Sequence, residues 1–354
     1  MTLIRVAHVG ADYEVLIGDL GDALPKLLAL AQGRQLPVVS DARVYDLYGG
    51  RLADVALPEP ILVPEGEAAK SWATLALIAA QLAALDVRRG TPVIALGGGS
   101  IGDVAGLAAS LFKRGCPIVH IPTTLLAQVD SAIGGKTAID AEGQKNLVGT
   151  FHHPQLVIVD PTALETLDDR QMQSGFAEIV KYGLIDDAEF FSWCEANGAR
   201  LLSGNTEICR TAIDHCVRAK GRFVAADPDD TSGTRALLNF GHTFGHAIEA
   251  VANGAILHGE AVALGLTLAF EFSVLTRCCQ VQDAARVRSI FNSAGLATTL
   301  AELGLGTRGP EIFKAMLSDK KADSDGLTLI LAHGIGSAFV ANGVDLERLS
   351  EFLN

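Results

Sequence analysis

Arg235, Asn239, His242, His246 and Glu249 punctuate the segment RALLNFGHTFGHAIE. Their steps of four, three, four and three residues are those of a single helix face. Leu237, Leu238, Phe240, Phe244, Ala247 and Ile248 fill the remainder. A polar stripe on an otherwise apolar helix inverts the pattern of a surface helix, and burying such groups is costly unless each has a partner. The spacing predicts one helix over 235–252 whose stripe lines a cavity for a metal, an anion or both. His242 and His246, at i and i+4, have the spacing with which two imidazoles share one zinc. Two satisfied core histidines are the plainer reading of the same spacing. His258, in LHGEA, sits where a loop meets a new helix and is a third candidate; capping or a surface position is its ordinary use. Glu178, in SGFAEIVKYG, lies among Phe176, Ala177, Ile179 and Val180 and is the candidate carboxylate of an open metal site. A surface pair with Lys181 at i+3 is its alternative.

Gly97–Asp103 reads GGGSIGD, follows the apolar run VIAL and opens a helical pattern. Backbone amides at such a turn form an anion site, and glycine lets a pyrophosphate approach closely; a tight strand–helix turn needs the same residues. Asp41 closes the run PVVSD, where a carboxylate can take a ribose diol or simply cap a helix. Cations recur in glycine-bearing or apolar contexts: Arg114 in FKRG, Lys136 in IGGKT, Lys145 beside Asn146 in GQKNLVG, Lys181, Lys220, Arg235, and Lys320–Lys321 in SDKKAD. As a set they suit a ligand with several negative charges, such as a phosphate plus a carboxylate. Asp130, in AQVDSAIGGKT, is a further acid in an apolar setting.

The elements that must hold these residues fall into two regimes. The chain has 354 residues, 49% of them hydrophobic and 19% charged, which suits two well-buried domains. VAHVGADYEVLIG reads as a candidate hairpin, and 37–44, 59–67, 91–100, 116–124 and 155–161 as β-rich runs alternating with helical patterns such as 69–85 and 103–113. Such alternation indicates a parallel sheet covered by helices. From about 166 onward helical patterns dominate (171–185, 187–203, 205–226, 235–252, 258–278, 282–297, 309–317), with extended character only at 327–332 and 336–340. The expected fold is a Rossmann-like α/β domain over 1–165 and an all-α metal- and substrate-binding domain over 166–354. No apolar run is expected to span a membrane, and the N-terminus lacks a signal-peptide pattern. Six cysteines show no zinc spacing, which suits a reduced, cytoplasmic protein. A net charge of −13 argues against nucleic acid or an anionic membrane as partner.

The segments PEGEAAKS, GGGSIGDVAGLAAS, RGCPIVHIPTTLLAQVDSAIGGKTAID, GQKNLVGTFHHP, SGFAEIVKYG, RALLNFGHTFGHAIEA, LHGEAVALG and DKKAD, in order from Asp41 to Lys321, are together similar to the 3-dehydroquinate synthase family. The resemblance implies a homodimeric lyase of the shikimate pathway. It would convert 3-deoxy-D-arabino-heptulosonate 7-phosphate by transient oxidation with NAD, phosphate loss, re-reduction and intramolecular aldol closure. It implies a divalent metal, zinc or alternatively cobalt, on Glu178, His242 and His258, which moves His246 from metal ligand to substrate-facing residue. It implies catalytic roles for Asp130, Lys181, Asn239 and His246. Substrate contacts would come from Arg114, reaching across the dimer, and from Lys136, Asn146, Lys220, Arg235 and Lys320. NAD would contact Asp41, Glu67, Lys70, Gly99, Ser100, Ile101, Gly102, Asp103, Thr123, Thr124, Lys136, Lys145, Thr162 and Thr166. Glu249 has no family role and is expected to support a histidine. Rival readings are another sugar-phosphate cyclase, whose carboxylate-free substrate gives no reason for Lys220 with Arg235, and a metal-dependent polyol dehydrogenase. AADPDDTSGTR departs from the family's acidic pattern before the arginine, and FHHP carries an extra histidine.

Overall fold

The computed structural model describes residues 1–7, 12–227, 230, 233–319 and 327–354. They form two compact units, Met1–Leu167 with Cys209–Asp229, and Asp168–Ile208 with Asp230–Asn354.

The first unit opens with β1 (Thr2–Val6) and β2 (Tyr13–Ile17), paired antiparallel as the hairpin reading expects. α1 (Leu20–Ala31), β3 (Val38–Ser40), α2 (Ala42–Tyr48), β4 (Ile61–Leu62), α3 (Trp72–Ala84), β5 (Val93–Gly97), α4 (Gly99–Leu111) and β6 (Ile118–Pro122) follow. The antiparallel pair β7 (Lys136–Ala141) and β8 (Gln144–Phe151) comes next, then β9 (Leu156–Val159). The main sheet has the order β1-β2-β9-β6-β5-β3-β4, parallel from β2 through β4. Every residue of β5, β6 and β9 is buried, as strands covered on both faces must be. The alternation along β5 divides the core: Val93 and Ala95 pack with α3 and α4, Ile94 and Leu96 with α1. Chain order reverses between β3 and β5. In open α/β sheets ligands bind beyond the carboxyl ends of the strands at such a switch point. Asp41 and the glycine-rich turn flank it.

The β7–β8 pair was not predicted. Its segment, KTAIDAEGQKNLVGTF, shows no clean alternation of apolar and polar residues. It packs on α4, where a Cβ at Gly106 would come within 2.5 Å of Thr137 Cγ2. α1, which carries Pro25 inside it and buries Leu20, Ala23, Leu27 and Ala31, and the seven-residue α2 were not singled out from the sequence.

The second unit is helical: α5 (Asp169–Asp186), α6 (Ala188–Leu202), the start of α7 (Thr206–Ala226), α8 (His242–Ala252), α9 (His258–Leu275), α10 (Val281–Ser293), α11 (Gly309–Asp319) and α12 (Leu346–Leu353). β10 (Leu329–Gly334) and β11 (Ser337–Ala341) form its hairpin. Two expectations are corrected here. Residues 235–252 are not one helix: Arg235–Asn239 is a 3₁₀ turn, and α8 begins only at His242. Gly241, at φ +78°, breaks the run because α9 passes too close for a side chain; a Cβ there would lie 2.7 Å from Leu266 Cγ. The five polar residues therefore do not share one helix face. Second, α9 is long and apolar enough to cross a membrane by length and composition, yet 72% of it is buried in the protein, which makes it a core helix.

Candidate functional site

α5, capped by Asp168, carries Glu178 into the interior of the second unit, where it is 0% exposed. The first residues of two other helices meet it there. His242 Nε2 lies 3.5 Å and His258 Nε2 3.3 Å from the same oxygen, Glu178 Oε1. Each imidazole is anchored through its other nitrogen: His242 Nδ1 is 3.1 Å from the Phe240 carbonyl, and His258 Nδ1 is 3.0 Å from Glu249 Oε2. Anchoring through Nδ1 turns both Nε2 atoms toward the same carboxylate oxygen. One donor atom from each of Glu178, His242 and His258 lies within 4.8 Å of the others. Two imidazoles and a carboxylate are a zinc-type set that leaves a coordination position open. Glu249 thus supports a histidine as expected, across α8 and α9.

The charges are arranged for a cation. Burial pushes His242 down to about 3, so it is neutral and free to donate electrons. Burial would lower His258 too, but its bonds to Glu178 and Glu249 raise it. Lys181 Nζ lies 2.6 Å from Glu178 Oε2, and both side chains are almost wholly buried, so the surface-pair alternative does not apply. His246 takes no place in the Glu178 set. Its ring stands 5.4 Å from His242 and 6.1 Å from His258, and it forms a second, overlapping donor set with Glu249 and His258. Arg235 is buried on the 3₁₀ turn, which packs against α5, while Asn239 on that turn is exposed. Lys320 and Lys321 lie outside the described residues.

In the first unit, β5 runs into the glycine-rich turn and Gly98 begins α4 without a side-chain cap, leaving first-turn amides for an anion. The glycines are required by packing: a Cβ at Gly97 would lie 2.7 Å from Ile101, and one at Gly99 2.8 Å from Ser131 Oγ. Thr123 and Thr124 follow β6, where Thr123 N–H donates to Gly97 O at 3.0 Å. Thr123 Oγ1 and Ser131 Oγ are buried without a hydrogen-bond partner among the described residues. A cavity of about 10 Å³, room for roughly one water, lies under the turn, lined by Gly98, Gly102, His120 and Ser131. Asp41 accepts from Val44 N–H at 2.8 Å as the cap of α2. Thr162 donates to Asp160 at 2.7 Å, and Thr166 pairs with the Tyr48 hydroxyl at 2.6 Å.

Lys70 is the hub of a second cluster. Its Nζ donates to Asp103 at 2.9 Å and to Asn146 Oδ1, with Glu67 at 3.6 Å. Glu67 accepts from Ser100 Oγ at 2.8 Å and lies 3.9 Å from Lys145. Asp103, Glu67 and Asp140 keep Lys70 charged against its own burial. Asp140, which sequence reasoning missed, holds Asn146 N–H at 2.8 Å and so fixes Asn146 at φ +55°. The missed β-hairpin is what brings Asp140 and Asn146 to Lys70. Lys220 on α7 donates to Asp130 Oδ1 at 2.6 Å and to its carbonyl at 2.7 Å, and Asp130 stands on a π-turn, Ala127–Ser131. Lys136 is exposed at the start of β7. Arg114 is exposed, at φ +62°, on the rim of a groove of about 750 Å³ also lined by Arg89, Phe151 and His152.

A doubly wound sheet with a glycine-rich turn at its switch point, and a helical unit holding an open two-histidine, one-carboxylate set, define a class of metal-dependent dinucleotide enzymes. Within that class the sequence is specific. The profile of the 3-dehydroquinate synthase N-terminal domain matches residues 60–174 and that of the C-terminal domain residues 175–322. The chain is 48% identical over 298 residues to 3-dehydroquinate synthase of Zymomonas mobilis, covering 84% of this chain and 79% of that one. It is 44% identical to the Caulobacter vibrioides enzyme of the same name, over 99% of this chain and 98% of that one. A solved 2-epi-5-epi-valiolone synthase from Streptomyces hygroscopicus, with NAD⁺ and Zn²⁺ bound, is similar at a TM-score of 0.88 and 31% identity, covering 98% of this chain and 97% of that one. The chain belongs to the 3-dehydroquinate synthase family, and its activity is that of a 3-dehydroquinate synthase in the shikimate pathway.

Proposed function

We propose that the chain acts on 3-deoxy-D-arabino-heptulosonate 7-phosphate as a carbon–oxygen lyase. Glu178, His242 and His258 would hold a divalent metal, zinc in the first instance, and the glycine-rich turn, Asp41 and the Lys70 cluster would hold NAD. The observation that carries this reading is the convergence of two anchored Nε2 atoms on one buried carboxylate oxygen. The uncapped start of α4 and the Thr123 and Ser131 hydroxyls, buried without a partner among the described residues, support the dinucleotide. When bound, the dinucleotide takes and returns one hydride and the metal polarises the alcohol oxygen.

The chain's own residues then divide the work. Lys181 and Arg235, buried cations, are suited to anionic groups of the substrate. Asn239 and His246 would orient hydroxyls, with His246 placed to move a proton. Lys220 and Asp130, paired at 2.6 Å, would hold one charged end, and Lys136 and Asn146 the phosphate. Lys320 and a partner protomer's Arg114 would complete the contacts in a cytoplasmic homodimer. Oxidation acidifies the neighbouring C–H, so phosphate leaves by β-elimination; return of the hydride restores the redox balance, and a redox-neutral aldol closure then forms the ring. Orientation and charge stabilisation by preset groups are the protein's part.

The test is phosphate release from the heptulosonate phosphate by chelated and zinc-restored protein. Release that is abolished by chelation, restored by zinc, and unaccompanied by net NADH is the expected result. No release with metal and NAD⁺ present would overturn the reading, and NADH accumulating on a simple polyol would favour a dehydrogenase.

A further inference from the structure

Arg170, Ser174 and Glu178 step by four residues along α5 and so form one stripe. The start of α9 presents His258, Gly259 and Glu260 in succession. The two triplets are joined rung by rung. Glu178 Oε1 faces His258 Nε2 at 3.3 Å. Ser174 Oγ accepts from Gly259 N–H at 3.0 Å, and a Cβ at Gly259 would fall on the Ser174 carbonyl, so the helices meet here backbone to backbone. Arg170 grips Glu260 with both arms of its guanidinium, Nε to Oε1 at 2.6 Å and Nη2 to Oε2 at 2.7 Å. The clamp extends into the loop before α9: Arg170 Nη2 donates to Ala255 O at 3.0 Å, and Glu260 Oε2 accepts from Leu257 N–H at 2.6 Å.

We propose that this ladder sets the metal geometry: Arg170, Ser174 and Glu260 are positioning residues that fix the spacing between Glu178 and His258. His258 is the first residue of its helix, where chain ends fray, and it also belongs to the overlapping set with His246 and Glu249. A start to α9 that is free to shift gives His258 a choice of two donor sets; the clamp removes the choice. A planar, bidentate Arg–carboxylate pair defines orientation as well as distance, which a single contact does not.

The inference rests on the metal reading above, and its test separates the two. Zinc affinity is measured by competition with a chromophoric chelator, and the visible spectrum is recorded after cobalt substitution, for the wild type, Arg170→Ala, Glu260→Gln and the double variant. Arg170 is 51% exposed, so its truncation removes little packing, and glutamine at 260 still accepts from Leu257 N–H. Arg170→Ala should weaken zinc about 10–100-fold, the range for partners that orient a ligand, and change the cobalt bands. Glu260→Gln should fall between it and wild type, and the double variant should be no worse than Arg170→Ala, because the two act through one pair. Melting of the chelated proteins gives the purely structural effect: lower melting temperatures with zinc affinity and cobalt bands unchanged overturn the proposal. A wild type that binds no metal overturns the metal reading with it.

Discussion

His246 and His258 separate a metal ligand from a substrate-facing group. His258 sends Nε2 to Glu178 and Nδ1 to Glu249, whereas His246 stands outside the Glu178 set. His258→Ala should therefore lose zinc by more than the roughly 10–100-fold that an orienting partner is worth. His246→Ala should keep zinc and lose turnover by about 10²–10⁴, the usual value of a positioned proton-transfer group. Metal content and steady-state turnover on both variants check this; equal loss of metal in both would make His246 a ligand. Much at this scale was legible. A lone carboxylate among Phe176, Ala177 and Ile179 announces a buried charge needing a partner, and the structure supplies three, His242, His258 and Lys181. The Glu249–His258 bond joins the body of α8 to the start of α9, and helical spacing within one segment carries no signal for a contact between two helices.

At the scale of elements, Gly241 decides the site's shape. It separates the turn carrying Arg235 and Asn239 from α8, whose first residue His242 then points at Glu178. Gly241→Ala would place a side chain in a left-handed residue and push it 2.7 Å from Leu266. The backbone term alone costs about 1–2 kcal/mol, and overpacking adds about 1–3 kcal/mol. Urea unfolding should show a loss of at least about 2 kcal/mol, with zinc affinity reduced; unchanged stability and affinity would show that the break is not needed. The i+3/i+4 periodicity runs unbroken through residues 235–249, so sequence spacing alone read a single helix. The break is set by a neighbour, α9, that local periodicity cannot see. The buried strands β5, β6 and β9 were read correctly because their apolar runs are continuous and end in turn residues. The β7–β8 hairpin was lost because its face toward α4 alternates Thr137 with a single large apolar residue, Ile139, too short a pattern to stand out.

The whole molecule is acidic, with 28 Lys and Arg against 41 Asp and Glu, so anion binding must be local. Lys181 and Arg235, each 1% exposed, act where solvent screening is weak. Acidification reduces the general repulsion and on that account favours the fold, but buried histidines oppose it, His120 among them. His120 on β6 lies under the glycine-rich turn, where a Cβ at Gly102 would sit 3.4 Å from its Nδ1. Burial, with His152 adding to it, pushes His120 down to about 4 from an ordinary 6.5. A folded value below the unfolded one means that the unfolded chain binds the proton first, so stability rises with pH across this window. The contribution is complete above about pH 6.5 and is lost as pH falls toward 4. At about 1.36 kcal/mol per pKa unit, the loss between pH 7.5 and 4.5 is about 2–3 kcal/mol. His120→Gln cannot take that proton, and subtracting its urea stability from wild type at each pH cancels the general charge term common to both. The difference should shrink by about 2–3 kcal/mol between pH 7.5 and 4.5; a difference independent of pH would mean that His120 does not titrate between the two states.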